Sequence, residues 1–253
     1  MLSDERRKQI FDYIKRKASV TTKELENQFE VSGSTIRRDL NYLASKKLII
    51  KTHKGAILNV PQAETSFYTN YNYMTLEKKE IAKKAMNFIR DGDFISLSGG
   101  TTCYFLAKEI VASNLAELTI LTNSLNVALL IIDSNKYFQV IVSGGIPKKG
   151  SYECVGQITI SAIRNFNIDK YFVGVNGISI SGDISFTFMD EAAIAQEINK
   201  NAKETYVISD HSKFGKSNMV KFAKLDEVTG IITDSQIPED VKRLYLEKGA
   251  NII

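Results

Sequence analysis

Two adjacent arginines, Arg37 and Arg38, stand in a segment whose apolar residues follow a helical period. Three apolar side chains recur at spacings of four and three residues and form one stripe: Ile36, Leu40 and Leu43. At about 100° per residue, Arg38 falls opposite that stripe together with Ser34 and Asn41, and Arg37 lies on its flank. Guanidinium and amide groups suit DNA phosphates and base edges. The spacing therefore predicts a helix that reads DNA.

The residues before this helix supply the rest of a DNA-binding module. Residues 3–17 predict a basic helix, and Thr22 is the expected N-cap of a second helix over KELENQF. Residues 31–33 form a short turn before the arginine-bearing helix, whose beginning offers further hydroxyl contacts. The candidate DNA contacts of the turn and helix are Ser32, Ser34, Thr35, Arg37, Arg38 and Asn41. This arrangement is typical of a helix-turn-helix.

Residues 48–58 contain two apolar runs around a basic tip that includes a glycine. This pattern predicts a β-hairpin, which after a helix-turn-helix would be a wing. Lys51, His53 and Lys54 are expected to reach the DNA backbone from it. We therefore predict a winged helix-turn-helix over residues 1–58.

Charge is distributed unevenly along the chain. Residues 1–60 carry 13 Lys and Arg against 7 Asp and Glu, a net charge of +6, whereas the remaining residues carry 20 against 22, a net charge of −2. A basic module joined to a slightly acidic body is the electrostatic pattern of a DNA-binding domain carried by a second domain. The alternative for the arginine pair alone is an ordinary solvated helix face.

The overall composition narrows the class of protein. The 253 residues suffice for one small and one medium domain, and 43% hydrophobic with 25% charged residues is ordinary for a globular chain. No apolar run reaches the roughly 18 residues of a membrane span, so we expect a cytoplasmic protein. Two cysteines without metal-ligand spacing and two histidines in the whole chain predict neither a metal site nor a cofactor.

From Thr75 onward, helices alternate with short, buried, β-rich runs. The first helix is expected over residues 75–90, after a polar linker over residues 59–74. Such alternation predicts an α/β domain over residues 75–253 with a mainly parallel sheet. In sheets of this kind, ligands bind at the carboxyl ends of the strands.

Small polar residues cluster where the predicted strands end. The candidate ligand contacts are Ser98, Gly99, Gly100, Thr101, Thr102, Asn123, Ser124, Gly144, Gly145, Asn176, Gly177 and Lys213. The first five open a helix, where free backbone amides can hold an anion. Each strand end alone is also typical of a plain turn. Five converging ends, one with a lysine, favour a pocket for a small phosphorylated or otherwise anionic ligand.

The ordered motifs TIRRDL, HKGA, SGGTT, TNS, SGG, GVNGIS and DHSKFGK resemble the DeoR family of bacterial transcriptional regulators over nearly the whole chain. The resemblance implies a winged helix-turn-helix joined to a sensor domain similar to ribose-5-phosphate isomerase. Members usually repress carbohydrate-utilisation operons and leave DNA when a phosphorylated sugar binds. It also implies that Gly100, Thr101 and Thr102 form a phosphate loop and that Lys213 contacts phosphate. Asn123, Gly144 and Gly145 would line the same pocket.

Four positions depart from the usual pattern of that family. Ser98 stands where an aspartate is common, and the run that begins at Glu191, itself a candidate effector contact, has Ala195 in place of a lysine. Lys54 replaces a glycine of the wing, and Asn70 an arginine of the linker. The loss of an acid and a base predicts an effector that is not typical of the family. The wing lysine should strengthen phosphate contact.

A ligand-gated repressor that acts as a homo-oligomer, a dimer or tetramer, is the leading hypothesis. An activator would use the same residues. The rival hypothesis is a sugar-phosphate isomerase with a DNA-binding appendage. Its catalytic base would be one of three carboxylates, Asp183, Asp190 or Glu191, and none of them has a paired lysine close by in sequence. We therefore expect no enzymatic activity and no catalytic residue.

Overall fold

The computed structural model describes residues 3–17, 19–46, 48–52, 54–58 and 67–253. The chain divides into two compact units, Met1–Tyr73 and Met74–Ile253. The predicted contact His53 and the first half of the predicted linker, residues 59–66, lie outside the described residues.

The first unit is a small bundle of helices with a three-stranded sheet. Its described elements are α1 Ser3–Lys17, β1 Ser19–Thr21, α2 Thr22–Phe29, α3 Gly33–Ser45, β2 Ile49–Thr52, β3 Gly55–Leu58 and α4 Phe67–Tyr71. The largest fully buried side chains of its core come from the three N-terminal helices: Ile10, Ile14, Leu25, Ile36 and Leu40. The helix-turn-helix and the antiparallel hairpin β2–β3 agree with the pattern of the sequence.

Three local features of this unit differ from the sequence prediction. Strand β1 was not predicted, and it pairs antiparallel with β3, so the sheet has the order β1-β3-β2. The N-cap of α2 is Thr21, whose hydroxyl accepts from Glu24 N at 3.1 Å, and not Thr22. Helix α4 occupies part of the segment that was predicted to have no helical period. These differences arise because hydrogen-bond geometry, and not residue type, selects between neighbouring threonines and adds a short third strand.

Gly55 is the position where the wing needs a glycine. A methyl group added to Gly55 would lie 1.9 Å from the backbone oxygen of Val20 and 2.7 Å from Cα of Thr21. Strand β3 therefore approaches β1 too closely for any side chain at this position, and the close contact joins the wing to the helices.

The second unit is an α/β domain. Its elements are α5 Thr75–Met86, β4 Phe94–Leu97, α6 Thr101–Ala112, β5 Thr119–Thr122, α7 Leu125–Ile132, β6 Gln139–Val142, β7 Ile146–Pro147, β8 Cys154–Val155, α8 Gln157–Ile163, β9 Ile168–Val173, β10 Gly177–Ile178, β11 Asp183–Phe186, α9 Met189–Asn201, β12 Ala202–Ile208, β13 Val220–Lys224, β14 Gly230–Ile232 and α10 Glu239–Leu246.

Six of these strands form one parallel sheet in the order β14-β12-β9-β4-β5-β6. Its central strands are rich in fully buried apolar side chains, as a sheet between helical layers requires. The predicted mainly parallel α/β architecture is thereby confirmed. All six strands run in one direction, so their carboxyl ends share one edge, where the candidate ligand contacts follow.

Some boundaries and strands of this unit differ from the prediction. Helix α5 ends at Met86 and not at Arg90, because the amides of Phe88 and Ile89 bond to carbonyls three residues back and tighten the chain into a turn. The final residues form a single β-bridge, between Ile252 and Ile231, and do not extend into a strand. A small antiparallel sheet, β10-β11-β13, was not predicted beyond its first strand, since its short strands lack a clear alternation.

Candidate functional site

Helix α3 carries two arginines that face solvent. Arg37 and Arg38 are exposed, and within the described residues neither has a hydrogen bond or an ion pair. The opposite face of the helix buries Ile36 and Leu40, as the apolar stripe predicted. Both guanidinium groups are therefore available for an external anion such as a DNA phosphate.

A buried carboxylate fixes the orientation of that helix. Asp39 is 1% exposed and accepts hydrogen bonds from two residues of α1: Arg6 Nε at 2.6 Å and Arg7 Nε at 3.0 Å. Arg7 also lies over the ring of Tyr42, with its Cζ 4.2 Å from the centroid. Sequence reasoning did not single out Asp39. The TIRRD segment thus joins two free arginines to an acid that holds the helix against its neighbour.

The hydroxyl residues at the start of α3 bond mainly to one another. Ser32 is the N-cap and accepts from the amide of Thr35 at 3.4 Å. Its hydroxyl also lies 2.9 Å from that of Ser34 and 3.0 Å from that of Thr35. These bonds set the first turn of the helix, and the exposed hydroxyls remain able to share a further bond with a phosphate.

The other predicted DNA contacts lie on α3 and the wing. Lys51 Nζ donates to Asn41 Oδ1 at 2.5 Å, so the wing strand β2 and the helix α3 are linked through two of the predicted side chains. Lys54 is exposed at the tip, where its carbonyl accepts from Thr22 N at 2.8 Å. The structure thus brings together the described DNA candidates on one helix and its adjoining wing.

In the second unit, three strand ends meet at the expected edge. A methyl group on Gly174 would lie 4.0 Å from Gly99 O and 3.9 Å from Ile208 O, so the ends of β4, β9 and β12 are neighbours. Gly100 has a φ of 89° and is the N-cap of α6, with open space where a side chain would stand. The amides of the first turn of a helix lack intrahelical partners. This loop can hold an anion.

Thr101 and Thr102 begin α6 and are both buried, at 7% and 8% exposed. The Ser98 side chain bonds within the protein. Its hydroxyl donates to Gly99 O at 3.1 Å, lies 3.2 Å from Cys103 Sγ and accepts from Gly174 N at 3.3 Å. Ser98 therefore holds the loop from inside, and its bond to Gly99 O requires a donor that a carboxylate lacks.

Several of the other candidates have evident structural roles. Ser124 caps α7 and accepts from Val127 N. Gly144 O accepts from Thr159 Oγ1 at 2.7 Å, and a methyl group on Gly145, whose φ is 118°, would lie 2.1 Å from Thr159 Oγ1. Close packing explains Gly145, and a left-handed φ of 65° explains Gly144, without a ligand.

Asn176 and Gly177 likewise belong to the small antiparallel sheet. Asn176 Oδ1 accepts from Thr187 N at 3.0 Å. A methyl group on Gly177 would lie 2.6 Å from Lys216 O. These two residues shape the turn before β10, which accounts for the amide and for the missing side chain.

Lys78 is a buried cation that sequence reasoning missed. It is 4% exposed on the apolar face of α5, three residues before Ile81 and four before Ala82. Burial lowers the pKa of Lys78 to about 8, Asp210 opposes that effect, and Lys213 lowers the pKa further. Two lysines therefore act on each other near the end of β12. The signal in the sequence was a lysine on an otherwise apolar stripe.

Tyr245 holds the loop that carries Lys213. Its hydroxyl donates to Ile178 O at 2.7 Å and accepts from Gly215 N at 2.9 Å, and its ring packs edge to face against Phe214 at 5.0 Å. The side chain is fully buried. Lys213 thus projects from a loop that is fixed on its C-terminal side.

A second lysine that the sequence did not single out pairs with the acidic residues at the start of α9. Lys148, in the loop between β7 and β8, lies 3.0 Å from Glu191 Oε1 and 3.3 Å from Asp190 Oδ1. Ala195, one turn after Glu191, is buried in the core at 2% exposed. The lysine that the helix lacks is therefore replaced in space by one that is 43 residues away in sequence. No pattern in the sequence indicated this pairing.

Glu153 lies against the anion loop. A methyl group on Gly99 would be 1.9 Å from Cδ of Glu153, so this side chain packs directly on the glycine backbone. Asn123 Nδ2 donates to Glu153 Oε2 at 3.3 Å. Burial raises the pKa of Glu153 to about 8, Glu191 and Asp190 raise it as well, and Asn123 and Lys148 lower it. A carboxyl group that resists ionisation thus stands beside the loop.

Neither unit shows the signs of two other classes of site. Across the described part of the chain, no three or more His, Cys, Asp or Glu side chains are grouped so that they could hold a metal ion. Over the same residues, no helix has the length and apolarity to span a membrane.

Comparisons with known proteins match both units. A family model described as the DeoR-like helix-turn-helix domain matches residues 6–62, and one described as the DeoR C terminal sensor domain matches residues 74–235. The second model alone spans more than half of the chain. Structural similarity to solved proteins is low: ribose 5-phosphate isomerase A from Methanocaldococcus jannaschii aligns with a TM-score of 0.41 at 16% identity, over 56% of this chain and 55% of that one.

Three curated relatives match nearly end to end. The glycerol-3-phosphate regulon repressor of Escherichia coli is 32% identical over 98% of this chain and 97% of its own length. The HTH-type transcriptional repressor GlcR of Bacillus subtilis is 32% identical over 92% and 89%. The lactose phosphotransferase system repressor of Staphylococcus aureus is 31% identical over 98% and 99%.

Proposed function

This chain belongs to the DeoR family, and on that premise we propose that it is a repressor of a carbohydrate-utilisation operon that a phosphorylated sugar releases from DNA. The three relatives are named as repressors, two of them of a glycerol-3-phosphate regulon and of a lactose phosphotransferase system. Because a regulator acts with its operator DNA, we propose that this one is cytoplasmic.

The observation that carries the DNA-binding half is the contrast between two pairs of arginines. Arg6 and Arg7 are bound to Asp39, whereas Arg37 and Arg38 are exposed and have no partner among the described residues. Because Arg37 and Arg38 have no side-chain partner among the described residues, no ion pair has to break when they contact DNA. This contrast supports α3 as the recognition helix in the major groove.

The test is DNA binding by single variants of the full chain. An operator would first be selected from random duplexes, and its affinity measured by fluorescence anisotropy at fixed salt. Arg38→Ala should weaken binding by about 1–3 kcal/mol. Arg90→Ala, at an exposed arginine of the second unit, removes the same charge and is the control. Equal affinities of the two variants would contradict the assignment of α3.

We place the effector at the carboxyl edge of the parallel sheet. In this proposal its phosphate accepts from the first-turn amides and hydroxyls of α6, at Gly100, Thr101 and Thr102, with Lys78 and Lys213 as the cations. Two features support it: the N-terminus of a twelve-residue helix behind an open glycine, and a lysine buried near a second lysine. Two lysines at this edge, with Asp210 acting on the buried one, suit an anionic ligand.

A thermal-unfolding series on the full chain tests the effector. Phosphate esters of sugars and polyols would be compared with their free alcohols, since a ligand at about 100 times its Kd adds about 2.7 kcal/mol to stability. A shift by one ester and not by its alcohol is the expected result, together with loss of operator binding at the same concentration. Stabilisation without DNA release would contradict the gating mechanism.

The isomerase alternative gains one observation from the structure. Its three candidate carboxylates lack paired lysines nearby in sequence, but Lys148 reaches Asp190 and Glu191, and Lys221 Nζ lies 3.1 Å from Asp183 Oδ2. A paired acid and base permit proton transfer. We still propose a regulator without enzymatic activity, because the three relatives are named as repressors. Turnover of pentose or hexose phosphates that Glu191→Gln abolishes would reverse this choice.

We further propose that the repressor acts as a homo-oligomer, a dimer or a tetramer. One winged helix-turn-helix makes few contacts, and symmetric regulators read two half-sites about one helical turn apart. Sedimentation velocity of the full chain, alone and with the selected operator, tests this. A monomer bound to a single half-site would contradict it.

A further inference from the structure

The effector edge of the second unit has an acidic half next to the anion loop. Three carboxylates act on one another there, from Glu153, Asp190 and Glu191. Lys148 pairs with the latter two, at 3.3 Å and 3.0 Å. The Glu153 carboxyl group instead accepts from the neutral amide of Asn123. The negative charge of this group therefore exceeds the positive charge beside it.

A second, independent observation is a buried hydrogen-bond acceptor on Asn123 that lacks a donor among the described residues. The side chain is 2% exposed, and among the described residues its Oδ1 has no hydrogen-bond partner. Its Nδ2 donates to Glu153 Oε2 at 3.3 Å and to Cys154 O at 3.2 Å. Both of these atoms are acceptors, so turning the amide over would set three oxygens against one another. The free carbonyl oxygen is thus held beside the Glu153 carboxylate.

The position of Glu153 relative to the anion loop sets the distance between the acidic half and a phosphate bound in that loop. Its carboxyl carbon lies where a methyl group on Gly99 would stand, one residue before the N-cap Gly100. A ligand whose phosphate meets the N-terminus of α6 would therefore present its next few atoms to Glu153 and Asn123. These atoms meet acceptors, and Lys148, the lysine that acts on Glu153, is paired with Asp190 and Glu191.

We propose that this acidic half binds a protonated amine, so that the effector is the phosphate ester of an amino sugar. The inference rests on the proposed function, because the phosphate in the anion loop positions the amine. An ammonium group offers three donors and a positive charge, which match the Glu153 carboxylate and the free Asn123 oxygen. A hydroxyl at the same carbon supplies one donor and no charge. A carboxylate there would be repelled.

The electrostatics of Glu153 agree with this assignment. Its raised pKa shows that a second negative charge is disfavoured here, through burial first and through Glu191 and Asp190 as well, against Asn123 and Lys148. Burial disfavours a charge of either sign, but the repulsion from Glu191 and Asp190 is specific to an anion and favours a cation at this point. An ammonium group would therefore bind with release of the proton that Glu153 otherwise keeps.

The experiment measures dissociation constants by titration calorimetry on the full chain at pH 8. The probes are three matched pairs of 1-phosphates, in which the C2 amine or hydroxyl is on the carbon next to the phosphate ester: glucosamine and glucose, galactosamine and galactose, and mannosamine and mannose. Within the best-bound pair, the amine should bind at least fivefold more tightly than the hydroxyl. Glu153→Gln should remove that preference, while Glu117→Gln, at an exposed glutamate at the opposite edge of the sheet, should keep it.

The outcomes separate this inference from the function on which it rests. Equal binding of amine and hydroxyl esters by the unmodified chain would overturn the amine assignment and leave a phosphosugar repressor intact. A preference that survives in a folded Glu153→Gln variant would overturn the role of Glu153. If none of the six esters binds, both the inference and the proposed effector class fail. The comparison on the unmodified chain decides the first point even if the variant does not fold.

Discussion

Arg6 Nε lies 2.6 Å from Asp39 Oδ2, a contact that joins α1 to α3 across 33 residues of sequence. Because Asp39 is 1% exposed and also accepts from Arg7, one carboxylate pairs with two arginines. The two arginines of α3 itself, Arg37 and Arg38, face solvent on a helix that cannot rotate without breaking this contact. Fixing the helix and freeing its outer arginines are parts of one arrangement.

Asp39→Ala should destabilise the full chain by roughly 3 kcal/mol, since it leaves two largely buried arginines without their acid. Urea unfolding monitored by circular dichroism measures this loss. Asp12→Ala, at an exposed acid of α1, is the matched control and should stay within about 0.5 kcal/mol. Equal midpoints for the two variants would show that the Asp39 contact does not hold the helices together.

Gly55→Ala and Gly33→Ala should differ sharply although both add one methyl group. At Gly55 the methyl meets the backbone oxygen of Val20 at 1.9 Å, whereas at Gly33 it meets the carboxylate end of Glu26 at 2.1 Å. A flexible side chain can move aside, but a paired strand cannot. We expect a loss of about 1–3 kcal/mol for Gly55→Ala alone. Comparable unfolding midpoints would disprove the close wing contact.

Lys78→Ala should abolish the thermal stabilisation that a bound phosphate ester gives, because it removes a buried cation from the proposed anion site. Lys79→Ala removes the same charge from the exposed neighbouring position and should keep the stabilisation. The measurement is the shift in melting temperature with a saturating ester, each variant compared with its own unliganded value. An unchanged shift in Lys78→Ala would remove this lysine from the site.

The pH dependence of stability should change in Glu153→Gln. Between its ordinary pKa of 4.5 and about 8, folded Glu153 keeps a proton that the unfolded chain has lost. The folded state then binds more protons, so this group's contribution to stability falls as pH rises through that window. Glutamine removes the effect. The variant should therefore gain stability relative to the parent from pH 5 to pH 8, measured by urea unfolding, and parallel profiles would contradict the raised pKa.

The sequence by itself determined the elements whose causes are local. The apolar stripe of Ile36, Leu40 and Leu43 gave the recognition helix and placed Arg38 outside, since helical spacing alone decides which side chains share a face. Alternation of helices with buried strands similarly determined a parallel sheet and the edge at which its ligand contacts gather. These inferences needed no knowledge of which strand lies beside which.

Only the tertiary structure decided the partners within the site. Lys148 reaches Glu191 across 43 residues, and Glu153 reaches Asn123 across 30, because the loop between β7 and β8 folds back over the strand ends. Lys78 becomes a buried cation only when α5 packs beside the loop that carries Asp210. Charge pairing and desolvation depend on distances through space, and separation along the chain does not encode them. For that reason the family's missing lysine at Ala195 suggested a loss, whereas the fold supplies another lysine and an acidic half.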